Sequence, residues 1–381
     1  MICYLHSTQN PITLDQIQLK TVGPCLKNIP YARLKYFSYL SNMKKWGVVI
    51  AIFCIGQISY LQELTKVNRV PLDSVKNIDV ITFGSCNHQL LPQEMWLNML
   101  DYKPDLFVFL GDNVYGNCTD VDCLIKTYNQ QLKKPYFLDF LEKIPMIGTW
   151  DDHDYGPNNS GIEHPIKKET QKYFLDFIGE PKESPRRMQE GIYTTYTFGK
   201  EGKKVKFFML DERYFREKPG EAADILGEIQ WKWFEKELNE SDAQINIIAS
   251  SSQFLSTKTT CDRWEQYPKA EKRMYQLIQA SKKPGIIFLS GDIHCAEMMQ
   301  NTSPDLNYPL YEFTASGMSH AHTGPKINSN KYKIQKPFCG LNYGMMSINW
   351  NSPITIKIEI KDIQNFTIQE KTLYLEDLQA K

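Results

Sequence analysis

The sequence predicts an α/β fold, and three observations support that prediction. Short apolar runs have the length and composition of strands that are buried on both faces. Stretches with apolar residues at helical spacing lie between these runs. Polar, carboxylate-rich turns follow the runs at the points where the strands end. Strands that alternate with helices are typical of α/β domains.

The predicted strands and helices follow one another from residue 78 onward. The first strand, 78–83, is rich in β-branched residues, and a tail strand, 354–360, alternates apolar with polar residues. Continuous apolar runs predict further strands at 106–110, 144–150, 205–210, 245–249 and 285–289. Helices are predicted at 94–100, 227–238 and 268–280. We expect Leu226, Ile229 and Trp233 to share the apolar face of the second helix.

The composition is that of an ordinary globular protein. Of 381 residues, 42% are apolar, and 44 Lys and Arg balance 44 Asp and Glu. A neutral chain without runs of like charge predicts neither a nucleic-acid-binding patch nor a polybasic membrane patch. No linker rich in Gly, Ser or Pro divides the chain beyond residue 77, so we expect one catalytic domain over 77–381. The sequence carries no signal for an oligomeric state.

The first 60 residues predict a secretion signal. Residues 1–42 are polar and irregular, which indicates an N-terminal extension. Two lysines then precede a short apolar stretch, as in a signal peptide or signal-anchor over 43–60, and 61–76 is expected to be a linker. The stretch is shorter than the roughly 20 residues of a bilayer span, so a membrane is a partner only if this segment stays uncleaved. A signal-anchor and a buried helix remain the alternatives.

Secretion predicts an extracellular or lumenal protein, and two features agree with it. Cys118 and Cys123 lie close together in one loop and could form a disulfide, which persists in oxidising compartments. Potential glycosylation triplets begin at Asn117, Asn158, Asn239, Asn301 and Asn365.

Polar residues cluster directly after the predicted strands, where α/β sheets form their sites. Gly-Asp turns at Asp112 and Asp292 follow two apolar strands, and a carboxylate-rich segment with His153 follows a third. Each turn alone is equally consistent with a tight turn or a helix cap, and Cys86 alone with a small buried residue. Several adjacent carboxylates are costly unless a cation compensates their charge, so together they predict a metal site.

A pair of metal ions about 3.5–4 Å apart can activate water near neutral pH and clamp both oxygens of a displacement at phosphorus. A site of this kind needs a bridging carboxylate, terminal ligands for each ion, an acid for the leaving group and a cation for the phosphate, and the residues after the predicted strands include candidates for each role.

Six motifs resemble those of the PhoD-like alkaline phosphatase/phosphodiesterase family, a branch of the calcineurin-like metallophosphoesterases. In chain order they are Gly84-Ser85-Cys86, Gly111-Asp112-Asn113-Val114-Tyr115, Trp150-Asp151-Asp152-His153-Asp154, Asp211-Glu212-Arg213, Ser251-Ser252-Gln253 and Gly291-Asp292-Ile293-His294. The resemblance spans residues 77–360. It implies a four-layer α/β/β/α sandwich with two central mixed sheets and with metal ions at the strand ends between them. With the metal site, it leads us to expect hydrolysis of small phosphate mono- or diesters by a metal-activated hydroxide.

The resemblance also implies a set of metal ligands. Asp112 matches a carboxylate that bridges two ions. Cys86 and Tyr115 match a thiolate and a phenolate that hold iron, often as Fe(III), and Asp292 and His294 match the final pair of ligands. The chain lacks the Asp-x-His that opens the wider calcineurin-like pattern, and Cys86 stands near that position, so an iron–zinc or manganese pair should not be assumed.

Other matching residues are implied to serve the second metal position and the substrate. Asp152, His153 and Asn158 match the segment for a position that is often occupied by Ca(II), and carboxylate and amide oxygens suit such an ion. His153 is expected to be the acid for the leaving group, although it could instead bind metal or phosphate. Arg213 matches an arginine that neutralises the phosphate. His320 lies in a stretch that resembles the last active-site loop and is expected to bind substrate.

Two alternatives to this interpretation remain at the level of sequence. The protein could be a phospholipase D-like diesterase that acts on lipid, which a comparison of lipid and soluble diesters would test. It could also be a non-catalytic secreted binding module on the same scaffold, although no matched ligand position is lost.

Overall fold

A computed structural model describes residues 63–257, 261–322 and 330–380. The predicted extension, the predicted signal segment and the start of the predicted linker lie outside these residues. Within the described ranges, no helix combines the length and the apolarity that crossing a membrane requires.

Two six-stranded sheets form the centre of the domain. In chain order, the strands are β1 (Val80–Gly84), β2 (Leu106–Leu110), β3 (Met146–Thr149), β4 (Thr194–Phe198), β5 (Val205–Met209), β6 (Ile245–Ala249), β7 (Ile286–Ser290), β8 (Ala296–Asn301), β9 (Leu310–Ala315), β10 (Asn342–Asn349), β11 (Thr355–Asp362) and β12 (Thr367–Tyr374). The first sheet has the order β12-β11-β10-β1-β2-β3 and the second β4-β5-β6-β7-β9-β8.

Both sheets are mixed, and each contains a parallel block. In the first sheet β1, β2 and β3 are parallel, and β10, β11 and β12 add antiparallel strands beside β1. In the second sheet β5, β6, β7 and β9 are parallel, with β4 and β8 as antiparallel edge strands. The carboxyl ends of the parallel strands in each sheet therefore meet at one edge of that sheet.

Helices cover the outer faces of the sheets. They are α1 (Met95–Leu100), α2 (Val121–Gln131), α3 (Pro135–Leu141), α4 (Asp152–Tyr155), α5 (Lys167–Ile178), α6 (Gly227–Asn239) and α7 (Pro268–Ser281). One apolar cluster lies between the sheets, where Phe83 and Val108 of the first sheet belong with Met209 and Ile247 of the second.

Two further apolar clusters join helices to the sheets. Trp96 on α1 and Phe174 on α5 pack with residues of the first sheet. Trp231 on α6 and Met274 on α7 pack with residues of the second. The layers are therefore helix, sheet, sheet and helix, as the resemblance implies. Burial of each large apolar side chain contributes about 1.5–3 kcal/mol, so this three-part core makes a rigid support for the strand ends.

The predicted strands and helices are present, with boundaries that shift by a few residues, but the predicted apolar face of α6 is wrong. Ile229 is 53% exposed and Trp233 only partly buried, whereas Trp231, Phe234 and Leu238 are buried. The latter three have spacings of three and four residues, so they also form a helical stripe, and they pack in one cluster with Leu226, which is buried as predicted.

Residues 63–76, expected to belong to a linker, contact the domain. Leu64 is buried, the Arg69 guanidinium donates a hydrogen bond to the carbonyl oxygen of Phe177, and the amide of Val70 donates one to Leu141.

Candidate metal centre

The predicted site residues lie where the carboxyl ends of the two parallel blocks meet. Ser85, just after β1, forms a parallel bridge with Ser316, just after β9, and the amide of Ser85 donates a hydrogen bond to the carbonyl oxygen of Ala315. This bridge joins the first sheet to the second directly beside Cys86. The turns after strands of both sheets can therefore contribute side chains to one site.

Four of the predicted ligands have left-handed backbone conformations, which are rare for residues other than glycine. The φ angles are 58° at Cys86, 50° at Asp112, 67° at Asp292 and 56° at His294. Each residue thus turns the chain sharply after its strand. Such conformations persist only where the surrounding structure enforces them, and they concentrate at functional sites.

The first group of candidate ligands contains Cys86, Asp112 and His294, whose ligand atoms all lie within 4.8 Å of one another. The Tyr115 hydroxyl adds a fourth donor atom: it lies 3.1 Å from Asp112 Oδ2 and 3.2 Å from His294 Nε2. Cys86 Sγ is 3.5 Å from the same carboxylate oxygen. The structure therefore brings together a thiol, a phenol, an imidazole and a carboxylate from three separate turns.

A second group contains Asp112, Asp152 and His153, again with ligand atoms within 4.8 Å of one another. Asp112 belongs to both groups, as expected of a carboxylate that bridges two ions. Asp152 is buried, and one of its carboxylate oxygens accepts a hydrogen bond from the amide of Asn159. Asn158 lies on the exposed turn after α4.

Two buried carboxylate oxygens without hydrogen-bond partners among the described residues indicate whether this site suits metal ions. Asp112 Oδ1 and Asp292 Oδ2 are buried and have no hydrogen-bond partner among the described residues. Burial raises the pKa of both carboxyl groups well above the ordinary value, and neighbouring acidic groups add to the shift. Burial also raises the pKa of the Cys86 thiol to about 11. Unpaired buried carboxylates are costly, and cations would compensate them, so the donor set fits metal ions.

Arg213 lies beside this site, but its positive charge is already paired with two carboxylates. The guanidinium is fully buried, and its Nε donates a hydrogen bond of 2.6 Å to Asp151 Oδ1. Its Nη2 lies 3.0 Å from Asp262 Oδ2. Against the effect of burial, Arg213 and Arg216 hold the pKa of Asp262 at about 2. Arg213 Nη1 is also buried, and it has no hydrogen-bond partner among the described residues.

Aromatic rings and imidazoles surround Tyr115 at the mouth of the site. The His153 ring centroid lies 4.3 Å from that of Tyr115, and the His88 ring stacks on Tyr115 with 4.9 Å between centroids. His320 lies 5.0 Å from Tyr115 and 4.4 Å from His294. His320, predicted to bind substrate, is thus adjacent to the first group of ligands.

Sequence reasoning gave no catalytic role to three residues that contact this site. Ser316 Oγ lies 3.1 Å from Cys86 Sγ, His88 stacks on Tyr115, and Asn117 Oδ1 lies 2.7 Å from His153 Nδ1. His88 and Asn117 each lie two residues beyond a motif, whereas Ser316 follows β9, a strand that the sequence analysis did not predict. Their contacts depend on how turns from different strands meet, which no local pattern encodes.

Comparisons with known proteins agree with the fold and identify the family. The sequence profile of the PhoD-like phosphatase family matches residues 82–341. A solved structure of PhoD is similar at 16% identity and a TM-score of 0.63, covering 82% of this chain and 70% of that chain. A dimetal phosphatase from Danio rerio is similar at 10% identity and a TM-score of 0.51, covering 79% and 100%. No curated protein sequence matches.

The two solved structures establish the fold alone, because their identities are low. The family match carries more, since it covers well over half of the chain and includes the turns that bear Cys86, Asp112, Asp152 and Asp292. The chain therefore belongs to the PhoD-like phosphatase family, and it is a metal-binding hydrolase of phosphoester bonds.

Proposed function

We propose that this protein hydrolyses small phosphate mono- or diesters by attack of water on phosphorus, with Asp112 bridging two metal ions. The observation that carries the proposal is that Asp112 belongs to both groups of candidate ligands. One group supplies a thiol, a phenol and an imidazole, and the other supplies a second carboxylate and the imidazole of His153. Two unlike sets of donors that share one carboxylate suit two unlike ions.

The proposed ions are Fe(III) in the first position and Ca(II) or another divalent ion in the second. Cys86 and Tyr115 would hold the iron together with Asp112 and His294, because thiolate and phenolate stabilise the ferric state. Asp152, with Asn158 and Asp292, would hold the second ion, since hard oxygen ligands suit calcium. When bound, such ions supply Lewis acidity, which lowers the pKa of water and neutralises charge on the phosphate.

The remaining residues orient the ester and handle its protons. His153 lies at the mouth of the site and is the proposed acid that protonates the leaving oxygen. Nη1 of Arg213 and the imidazole of His320 are the proposed contacts for phosphate oxygens. Asp151 and Asp262 keep the Arg213 guanidinium in a fixed orientation, so it can stabilise developing charge without reorganisation.

We also propose that the protein acts in the secretory pathway or outside the cell. Disulfides join Cys118 to Cys123 and Cys295 to Cys339, and such bonds persist in oxidising compartments. Among the potential glycosylation sites, Asn239 is exposed, whereas Asn301 is buried and its amide donates a hydrogen bond to the Tyr275 hydroxyl. A glycan is therefore expected at Asn239 in preference to Asn301.

The proposal is tested by elemental analysis together with hydrolysis of a chromogenic monoester and a chromogenic diester. We expect iron and a divalent ion in the purified protein, and hydrolysis that a chelator abolishes and metal restores. Protein that binds no metal and hydrolyses neither ester after reconstitution with Fe(III) and Ca(II) would contradict it.

A further inference from the structure

Gly116 and Asn117, which follow Tyr115, form three hydrogen bonds with His153. The amides of Gly116 and Asn117 both donate to the backbone carbonyl oxygen of His153, at 3.0 Å and 3.2 Å. The side chain of Asn117 reaches the imidazole, with Oδ1 at 2.7 Å from Nδ1. Backbone and ring of one histidine are thus fixed by two consecutive residues of a neighbouring turn.

Three further features hold this loop in place. Asn117 has a φ of 49°, a left-handed conformation that asparagine tolerates better than most residues. A Cβ at Gly116 would lie 2.9 Å from Cys118 Sγ, so glycine permits the close approach. The disulfide between Cys118 and Cys123 then ties the residue after Asn117 to the first turn of α2.

The hydrogen bond to Asn117 determines which nitrogen of His153 faces the substrate. An amide oxygen only accepts, so Nδ1 carries a proton and donates it to Asn117 Oδ1. Nε2 is then the nitrogen left for the reaction. The Tyr115 ring packs against the imidazole and opposes rotation about its long axis. The ring therefore has one preferred orientation, and the form of His153 that can act as an acid is the imidazolium, in which Nε2 also carries a proton.

We propose that Asn117 is a positioning residue that holds His153 as the proton donor to the leaving group of the ester. The inference rests on the proposed function, and it identifies the residue that orients the proposed acid, His153. In the step, water oxygen bonds to phosphorus, the bond from phosphorus to the leaving oxygen breaks, and the Nε2 proton of the imidazolium moves to that oxygen. The proton that the water loses returns the imidazole to its charged form, so atoms and charge balance.

The same geometry has a competing interpretation, because His153 also belongs to the second group of candidate ligands. A histidine that binds metal commonly donates its other ring N–H to an outer partner. The two interpretations differ in what the loss of Asn117 does. A misoriented acid penalises esters with poor leaving groups, whereas a weakened metal ligand lowers metal content and penalises all esters alike.

The test uses Asn117→Gly and Asn117→Asp with an ester series in which only the leaving phenol changes, from p-nitrophenol to phenol. Glycine removes the amide and accepts a positive φ without strain, and aspartate keeps an oxygen acceptor for Nδ1–H. For Asn117→Gly we expect kcat to fall about 10- to 100-fold on the phenyl ester and less than about threefold on the p-nitrophenyl ester. KM and metal content should stay unchanged, and Asn117→Asp should recover most of the lost rate.

A double variant completes the experiment. In a His153→Ala background, Asn117→Gly should cause no further loss on the phenyl ester, because the two residues act as one unit. An equal loss on both esters, or loss of bound metal from Asn117→Gly, would overturn the inference and leave the proposed function standing. Absence of hydrolysis by the reconstituted wild-type protein would overturn both.

Discussion

Arg213 shows how the surroundings of one residue change the role that its chemistry suggests. A permanently charged guanidinium after a buried strand suggests a contact to phosphate. The structure places it at full burial between Asp151 and Asp262, with Nη2 in ion-pair contact with both and Nη1 without a hydrogen-bond partner among the described residues. Its first role is then to compensate the charge of two buried carboxylates. Any contact with phosphate comes in addition to that structural role.

We therefore expect Arg213→Met to lower the free energy of unfolding by on the order of 3–5 kcal/mol, because it leaves buried carboxylates without their partner. Urea denaturation measures this change. Arg273→Met is the matched control: Arg273 pairs with Glu228 at the surface, where solvent screens the charges, so its loss should cost much less than that of Arg213. An Arg213→Met protein as stable as wild type, with only a raised KM, would mean that Arg213 serves the substrate alone.

At the scale of elements, the site depends on how closely the turns of the two sheets approach. Gly291 precedes Asp292 after β7, and a Cβ there would lie 2.5 Å from Ser85 Oγ and 2.6 Å from the carbonyl oxygen of Leu110. The turn after β7 thus packs directly on the ends of β1 and β2. Only glycine permits this contact, which brings Asp292 and His294 to the turns of the first sheet.

Gly291→Ala should therefore displace the turn that carries two predicted ligands. We expect bound metal to decrease and hydrolysis to fall about 100-fold, as displacements near 1 Å commonly cause. Gly220→Ala is the control, because Gly220 is exposed and the nearest atom to its Cβ would be 3.9 Å away. Equal metal content and activity in both variants would show that the turn tolerates displacement.

The two disulfides constrain elements to different extents. Cys118 and Cys123 are separated by 5 residues, and Cys295 and Cys339 by 44. In the chain-entropy account, a longer closed loop restricts the unfolded chain more. Replacing the first pair by serine should lower the free energy of unfolding by about 2 kcal/mol, and replacing the second by about 4 kcal/mol. Urea denaturation compares them, and a larger cost for the first pair would contradict this order.

For the whole molecule, the sequence was sufficient to predict the α/β fold class and most strands of the two parallel blocks. Strands such as β2 and β6 are continuous apolar runs, because both of their faces are covered. Edge strands were missed, since β4 and β12 keep exposed residues and mix polar with apolar side chains. β9 was missed although it is fully buried, because it contains Glu312, whose carboxylate accepts hydrogen bonds from the amides of Phe254 and Leu255.

The same distinction holds for the site. Asp112 could be singled out because its motif follows a recognisable strand, whereas the ligand role of Cys86 was predicted only from the family resemblance. The hydrogen bond from His153 to Asn117 and the disulfide from Cys295 to Cys339 could not, because they join turns that meet only after folding. Long-range pairing is a property of the assembled sandwich rather than of any segment.

The central claim is that Asp112 bridges two metal ions, and metal content with turnover of Asp112→Asn tests it most directly. Asparagine has a similar shape, tolerates the φ of 50° and removes a buried negative charge, so we expect the fold to persist. The account predicts two ions in the wild-type protein, the loss of at least one in the variant, and abolished hydrolysis. A variant that keeps both ions and wild-type turnover would contradict the account.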